Sequence, residues 1–101
     1  EIRHGRVRFR PAEQTVTLDG ETIALSRREL ALLEAFLYAR GAILSEEQLK
    51  DSLYGLDTEI GSNAINVHIH HLRRKLGRDF IQTVRGLGYR LGPPDEGEHT
   101  P

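Results

Sequence analysis

The sequence predicts an α+β domain: a small antiparallel sheet, three helices and a closing β-hairpin, in that order. Three observations predict it. Apolar residues alternate at period two across residues 6–25. Two Ser-x-x-Glu/Gln boxes then open segments whose leucines recur at helical spacing. Finally, an amphipathic stretch over residues 62–77 is followed by two short strand-like runs around a glycine-rich turn. Sheet, three helices and hairpin in this order suggest a winged helix-turn-helix.

Each element has its own local signal. Val7 and Phe9, Val16 and Leu18, and Ile23 and Leu25 alternate with polar neighbours, which gives strands with one buried face. Asp19-Gly20 between the second and third runs is a two-residue hairpin signal, because both positions tolerate positive φ. Ser26 and Glu29 form a capping box, followed by Leu30, Leu33 and Leu37, with Gly41 as the stop. Ser45 and Gln48 form a second box, opening a short helix that turns Leu49 and Leu53 inward. Tyr54 to Gly61 has no sustained period and reads as a loop. The third helix runs from near Ser62 to Gly77. Phe80 to Val84 is a strand, Arg85-Gly86-Leu87-Gly88 a turn and Tyr89 to Leu91 the returning strand. Residues 1–91 thus form the domain. Residues 92–101 hold three prolines, three acids and no apolar anchor, and read as a disordered acidic tail.

A chain of 101 residues suits one domain with a modest core. It has no cysteine, which excludes disulfides and thiolate metal sites. No apolar run approaches the roughly 20 residues of a bilayer span, so no membrane partner is expected and a cytoplasmic location is. The chain also lacks methionine, even at position 1, and a longer protein with a further N-terminal part is expected. The formal net charge of −1 hides a division. Residues 29–61 carry a net −5 and residues 62–91 a net +5. Two surfaces with different partners follow, and the basic one suits a polyanion.

On a helical wheel, Ile65, Ile69, Leu72 and Leu76 form one narrow stripe that must face the core. Opposite lie Asn63, Val67, His70, His71 and Arg74. Asn66 and Arg73 flank them on one side, His68 and Lys75 on the other. A solvated cationic face would usually be laced with acids at i±4, and this helix has none. A metal site needs converging ligands; His68 and His71 have workable spacing, but His70 points elsewhere and the helix supplies no carboxylate, so no metal or other cofactor is expected. The third reading is a helix for the major groove of DNA. Arg and His meet phosphates or guanine edges there, Asn pairs with adenine, and Val67 touches a thymine methyl.

Thr83-Val84-Arg85-Gly86-Leu87-Gly88-Tyr89 supplies the context. Its glycines lack the Gly-Lys-Ser/Thr ending of a nucleotide loop, so they are weak evidence for phosphate binding. An arginine at a hairpin tip directly after a basic helix suits a wing that enters a narrow minor groove. Thr83 and Tyr89 flank Arg85 with hydroxyls for phosphates, and Tyr89 reads equally as a core residue.

The motifs "LSRRELALLEAF", "ILSEEQL", "NAINVHIHHLRRKLG" and "IQTVRGLGYRL" together resemble the winged-helix effector domain of OmpR/PhoB-type response regulators, over about residues 5–91. The "VHIHHLRRKLG" version is most similar to the PmrA/QseB-like branch. The resemblance implies a four-stranded N-terminal sheet, no catalytic activity, and sequence-specific binding of double-stranded promoter DNA. It implies DNA contacts at Asn63, Ala64, Val67, His68, His70, His71 and Arg73, at Thr83, Arg85 and Tyr89 in the wing, and at Tyr54; Arg74 is added from the wheel. Many relatives have other residues where this chain has His70 and His71, so their base preferences do not transfer. The loop candidates Leu56, Asp57, Glu59 and Ile60 would touch RNA polymerase, or else form a solvated connector. An N-terminal receiver domain, phosphorylated by a cognate sensor kinase, would favour dimers on tandem half-sites. The competing reading is a winged-helix module whose basic face binds an acidic protein.

Overall fold

The computed structural model describes residues 1–54 and 64–94. The alternating runs fold as an antiparallel sheet of β1 (Ile2–His4), β2 (Val7–Arg10), β3 (Thr15–Leu18) and β4 (Glu21–Thr22), in that spatial order. Asp19 and Gly20 form the two-residue turn between β3 and β4, both at positive φ (55° and 86°), with Leu18 opposite Glu21. The alternation of the third run extends to Leu25, but its ladder is shorter. Beyond Thr22 only the amide of Ile23 still reaches Val16 O, at 2.9 Å, before Ser26 begins a helix cap. β1 is too short to show an alternation, and its place at the sheet edge comes from pairing Ile2 with Phe9.

Both capping boxes close. Ser26 Oγ accepts from the Glu29 amide at 3.1 Å, and Glu29 Oε1 accepts from the Ser26 amide at 3.0 Å. Ser45 and Gln48 repeat the exchange at 3.1 and 2.8 Å. They open α1 (Arg27–Ala39) and α2 (Glu46–Ser52). α1 stops one residue before its glycine: Arg40 itself takes the left-handed conformation, at φ 52°. α3 (Ala64–Leu76) follows and ends at Gly77.

One core joins these elements. Val7, Phe9 and Val16 come from the sheet, and Leu32, Leu33, Phe36 and Leu37 from α1. Leu49 and Leu53 add the second helix. In α3, Ile65, Ile69, Leu72 and Leu76 are each no more than 3 % exposed, so the helix has a fixed rotation and a fixed outer face. Burying four such side chains stabilises the docked helix by about 1.5–3 kcal/mol apiece before the ordering cost.

The hairpin of β5 (Ile81–Val84) and β6 (Gly88–Leu91) closes the domain, with Thr83 opposite Tyr89. Leu44 adds a bridge to its outer edge, exchanging two backbone bonds with Tyr89 at 2.7 and 2.9 Å. A Cβ at Gly88 would lie 2.1 Å from Leu44 O, so this position is glycine because backbone passes against it. Gly92 corrects the boundary read from the sequence. It is buried, its amide donates to Phe80 O at 2.8 Å, and its carbonyl accepts from His4 Nε2 at 2.9 Å. The domain therefore includes Gly92. The acidic part of the tail, from Asp95 onward, lies outside the described residues.

Candidate nucleic-acid interface

The buried stripe of α3 turns Asn66, Val67, His70 and Arg74 outward, all exposed. Val67 keeps 46 % of its surface in water, one turn from His70 and among polar neighbours. The wing is fastened beside this face by three side-chain bonds. Arg73 Nε donates to Ile81 O and its Nη2 to Thr83 Oγ1, both at 2.9 Å. Tyr89 Oη donates to Asn66 Oδ1 at 2.5 Å. Arg73, Thr83 and Tyr89, which sequence reasoning assigned to DNA, thus also hold the wing on α3. Asn66 had no role in that reading. Its partner lies 23 residues away, and no local signal in the sequence joins them.

Arg85 is exposed at the wing turn, between Val84 and the left-handed Gly86 (φ 79°). The Tyr89–Asn66 and Thr83–Arg73 bonds therefore set where Arg85 stands relative to α3. Tyr54, just beyond α2, is 86 % exposed. Ala64 opens α3. The candidates Asn63, Leu56, Asp57, Glu59 and Ile60 lie outside the described residues.

The three histidines of α3 are not equivalent. His70 faces solvent with Arg74. His71 was placed on the same outer face by the wheel, but its Nδ1 lies 3.2 Å from Glu29 Oε2 of α1. The wheel fixes the direction of a Cα–Cβ bond and says nothing of a carboxylate on a neighbouring helix. Glu29 is 4 % exposed and also accepts from Lys75 Nζ at 2.7 Å, while Lys75 donates further to Ala24 O at 3.0 Å. Burial pushes the Glu29 carboxyl up, but the Lys75 bond, the Ser26 amide and the nearby His71 together hold it below its ordinary value. Burial and the Arg28 cation hold the His68 imidazole below its ordinary value, and its Nδ1 is buried without a hydrogen-bond partner among the described residues.

A sheet, three helices and a hairpin bonded to an acid-free third helix define a winged helix-turn-helix with one cationic helix-and-wing surface. The chain belongs to the family described as "Transcriptional regulatory protein, C terminal", which matches residues 20–91 and is a family of transcription regulators, not of enzymes. It is 50 % identical over 94 residues to the response regulator protein PmrA of Pseudomonas aeruginosa, covering 93 % of this chain and 42 % of that protein. It is 49 % identical over 92 residues to the transcriptional regulatory protein QseB of Escherichia coli O157:H7, covering 91 % of this chain and again 42 % of the relative. The chain thus spans less than half the length of these relatives. Among solved structures, the Klebsiella pneumoniae RstA DNA-binding domain in complex with the RstA box superimposes with a TM-score of 0.79 at 30 % identity, covering 91 % of this chain and 96 % of that one. The DNA-binding domain of CpxR from E. coli gives 0.78 at 30 % identity, with 92 % and 96 % coverage. No helix of the described residues is long and apolar enough to cross a membrane.

Proposed function

We propose that this chain is the sequence-specific, double-stranded-DNA-binding domain of a two-component response regulator that controls transcription. The observation that carries the reading is the bonding of the wing to α3 through Asn66–Tyr89 and Arg73–Thr83. It joins two DNA-sized probes, a helix and a hairpin tip, into one surface whose exposed cations include Arg74 and Arg85. The solved RstA domain, similar in fold and sequence, is recorded with its DNA box. In this reading α3 enters the major groove. Asn63, Ala64, Val67 and His70 face base edges, and Arg74 meets phosphate. His68 and His71 approach the backbone from the α1 side, and the remaining donors of Arg73 do so from the wing side. Arg85 enters the adjacent minor groove, Tyr54 and Thr83 offer hydroxyls to phosphates, and Tyr89, whose hydroxyl proton is given to Asn66, holds the wing in place beside them. Two copies on tandem half-sites, a receiver domain controlled by a sensor kinase, and a polymerase contact through Leu56, Asp57, Glu59 and Ile60 complete the proposal. These rest on the family resemblance and on the acidic balance of residues 29–61.

Selection of bound duplexes from a random pool tests the core of this reading. A single recurring motif should emerge, and its affinity should fall steeply with added salt as phosphate-bound counterions are released. A pool that stays random after repeated rounds would overturn sequence-specific binding.

A further inference from the structure

The junction of α1 and α3 joins His68 and His71, which the DNA reading brings near the backbone, to a buried carboxylate, Glu29, for which that reading has no use. Glu29, His68 and His71 each offer one ligand atom within 4.8 Å of the others. The Glu29 Oε2 to His71 Nδ1 edge is already 3.2 Å, and the His68 and His71 rings stand edge to face with centroids 6.4 Å apart. His68 Nδ1 is buried with no hydrogen-bond partner among the described residues, although a buried ring nitrogen ordinarily finds one. We propose that Glu29, His68 and His71 form a binding site for a divalent transition-metal ion of the zinc class.

The donor set suits that class. Two imidazoles and a carboxylate, with no thiolate in the chain, favour zinc, cobalt, nickel or copper(II) over calcium or magnesium. Zinc binds imidazole nitrogen and carboxylate oxygen at about 2.0–2.2 Å, so the edges of its coordination tetrahedron are about 3.4 Å long. The Glu29–His71 edge meets this as it stands. The two histidines are three residues apart on one helix, so both project from neighbouring turns toward α1. The carboxylate is oriented before any ion arrives: Glu29 Oε1 accepts from the Ser26 amide and from Lys75 Nζ, which leaves Oε2 toward the histidines. Three protein ligands leave a fourth position for water, on the solvent side of His71, whose side chain is 45 % exposed.

Two cations face this cluster. Lys75 is bonded to Glu29, and Arg28 is close enough to depress protonation of His68. Both oppose a bound dication, so the site suits a reversibly bound ion and not one needed for folding. The fold bears this out in its own terms, since the core of α1 and α3 is closed by apolar packing. The third helix supplies no acid of its own; the carboxylate comes from the first turn of α1, 42 residues from His71.

Cobalt(II) titration of the chelator-stripped chain, without DNA, tests the proposal independently of the DNA reading. A visible d–d absorption should rise to saturation near one equivalent and be displaced by zinc(II). His68→Gln and His71→Gln should each weaken binding by more than about tenfold, with far-UV circular dichroism unchanged. Glu29→Gln, which retains an oxygen for the Ser26 amide, should weaken it likewise. Absence of a saturable spectrum would overturn the site. So would undiminished binding by the His68→Gln/His71→Gln double variant, which would assign the ion to other histidines. Duplex selection performed with chelator present reports on DNA binding alone, so failure of either reading is seen separately.

Discussion

Val67 sits outside the core, at 46 % exposure, on a helix whose four core positions are filled by larger aliphatics. Folding gives no reason for an apolar side chain there, whereas a thymine methyl would give it a partner. Val67→Ala should therefore lower discrimination at one base pair by roughly 1 kcal/mol or less, as suits one small apolar contact. Competition across a panel of single-substitution duplexes measures it; a uniform loss on every duplex would contradict the contact. Arg85 makes the complementary case, a charge on a turn fixed by its neighbours. Arg85→Ala should weaken all duplexes and reduce the salt slope by about one unit. Unchanged affinity and slope would take the wing out of the mechanism. At this scale the sequence was half legible. It showed which α3 residues point away from the core, because that follows from periodicity. It did not show that His71 leans on Glu29 or that Asn66 holds Tyr89, because both partners come from other elements.

The elements were most legible where their hydrogen bonds are local. Ser26 with Glu29, Ser45 with Gln48, and Asp19-Gly20 each carry their geometry within four residues, and each forms as read. β1 and Gly92 were not legible, since their places depend on a strand partner and on a contact between His4 and a carbonyl 88 residues away. The wing glycines show the same division. Gly86 has left-handed φ and open space around its missing side chain, while Gly88 also lies against Leu44 backbone. Gly86→Ala should cost only the conformational penalty, about 1 kcal/mol. Gly88→Ala must in addition displace Leu44 or the hairpin, and should cost about 2 kcal/mol or more. Urea midpoints of the two variants compare them directly. Equal losses would mean that the bridge between Leu44 and Tyr89 yields without penalty.

Across the whole molecule, charge is segregated more strongly than any single element reveals: residues 29–61 carry −5 and residues 62–91 carry +5. Part of the acid is spent internally, since Glu29 binds Lys75 and stands beside His71. Asp57 and Glu59 belong to the same acidic stretch and have Leu56 and Ile60 as apolar neighbours, a mixture suited to a protein partner and repelled by DNA phosphates. If this stretch makes the proposed polymerase contact, binding DNA and activating transcription should be separable. Asp57→Ala combined with Glu59→Ala should leave operator affinity within a few-fold, because removing two anions only mildly eases the approach of a polyanion. The same variant should reduce transcription by purified polymerase from a promoter carrying the selected motif. The comparison is made at saturating protein, where operator occupancy is equal for parent and variant. Any remaining difference in transcript yield then belongs to the step after binding. Equal transcript yields would make this stretch a solvated connector and overturn the proposed polymerase contact.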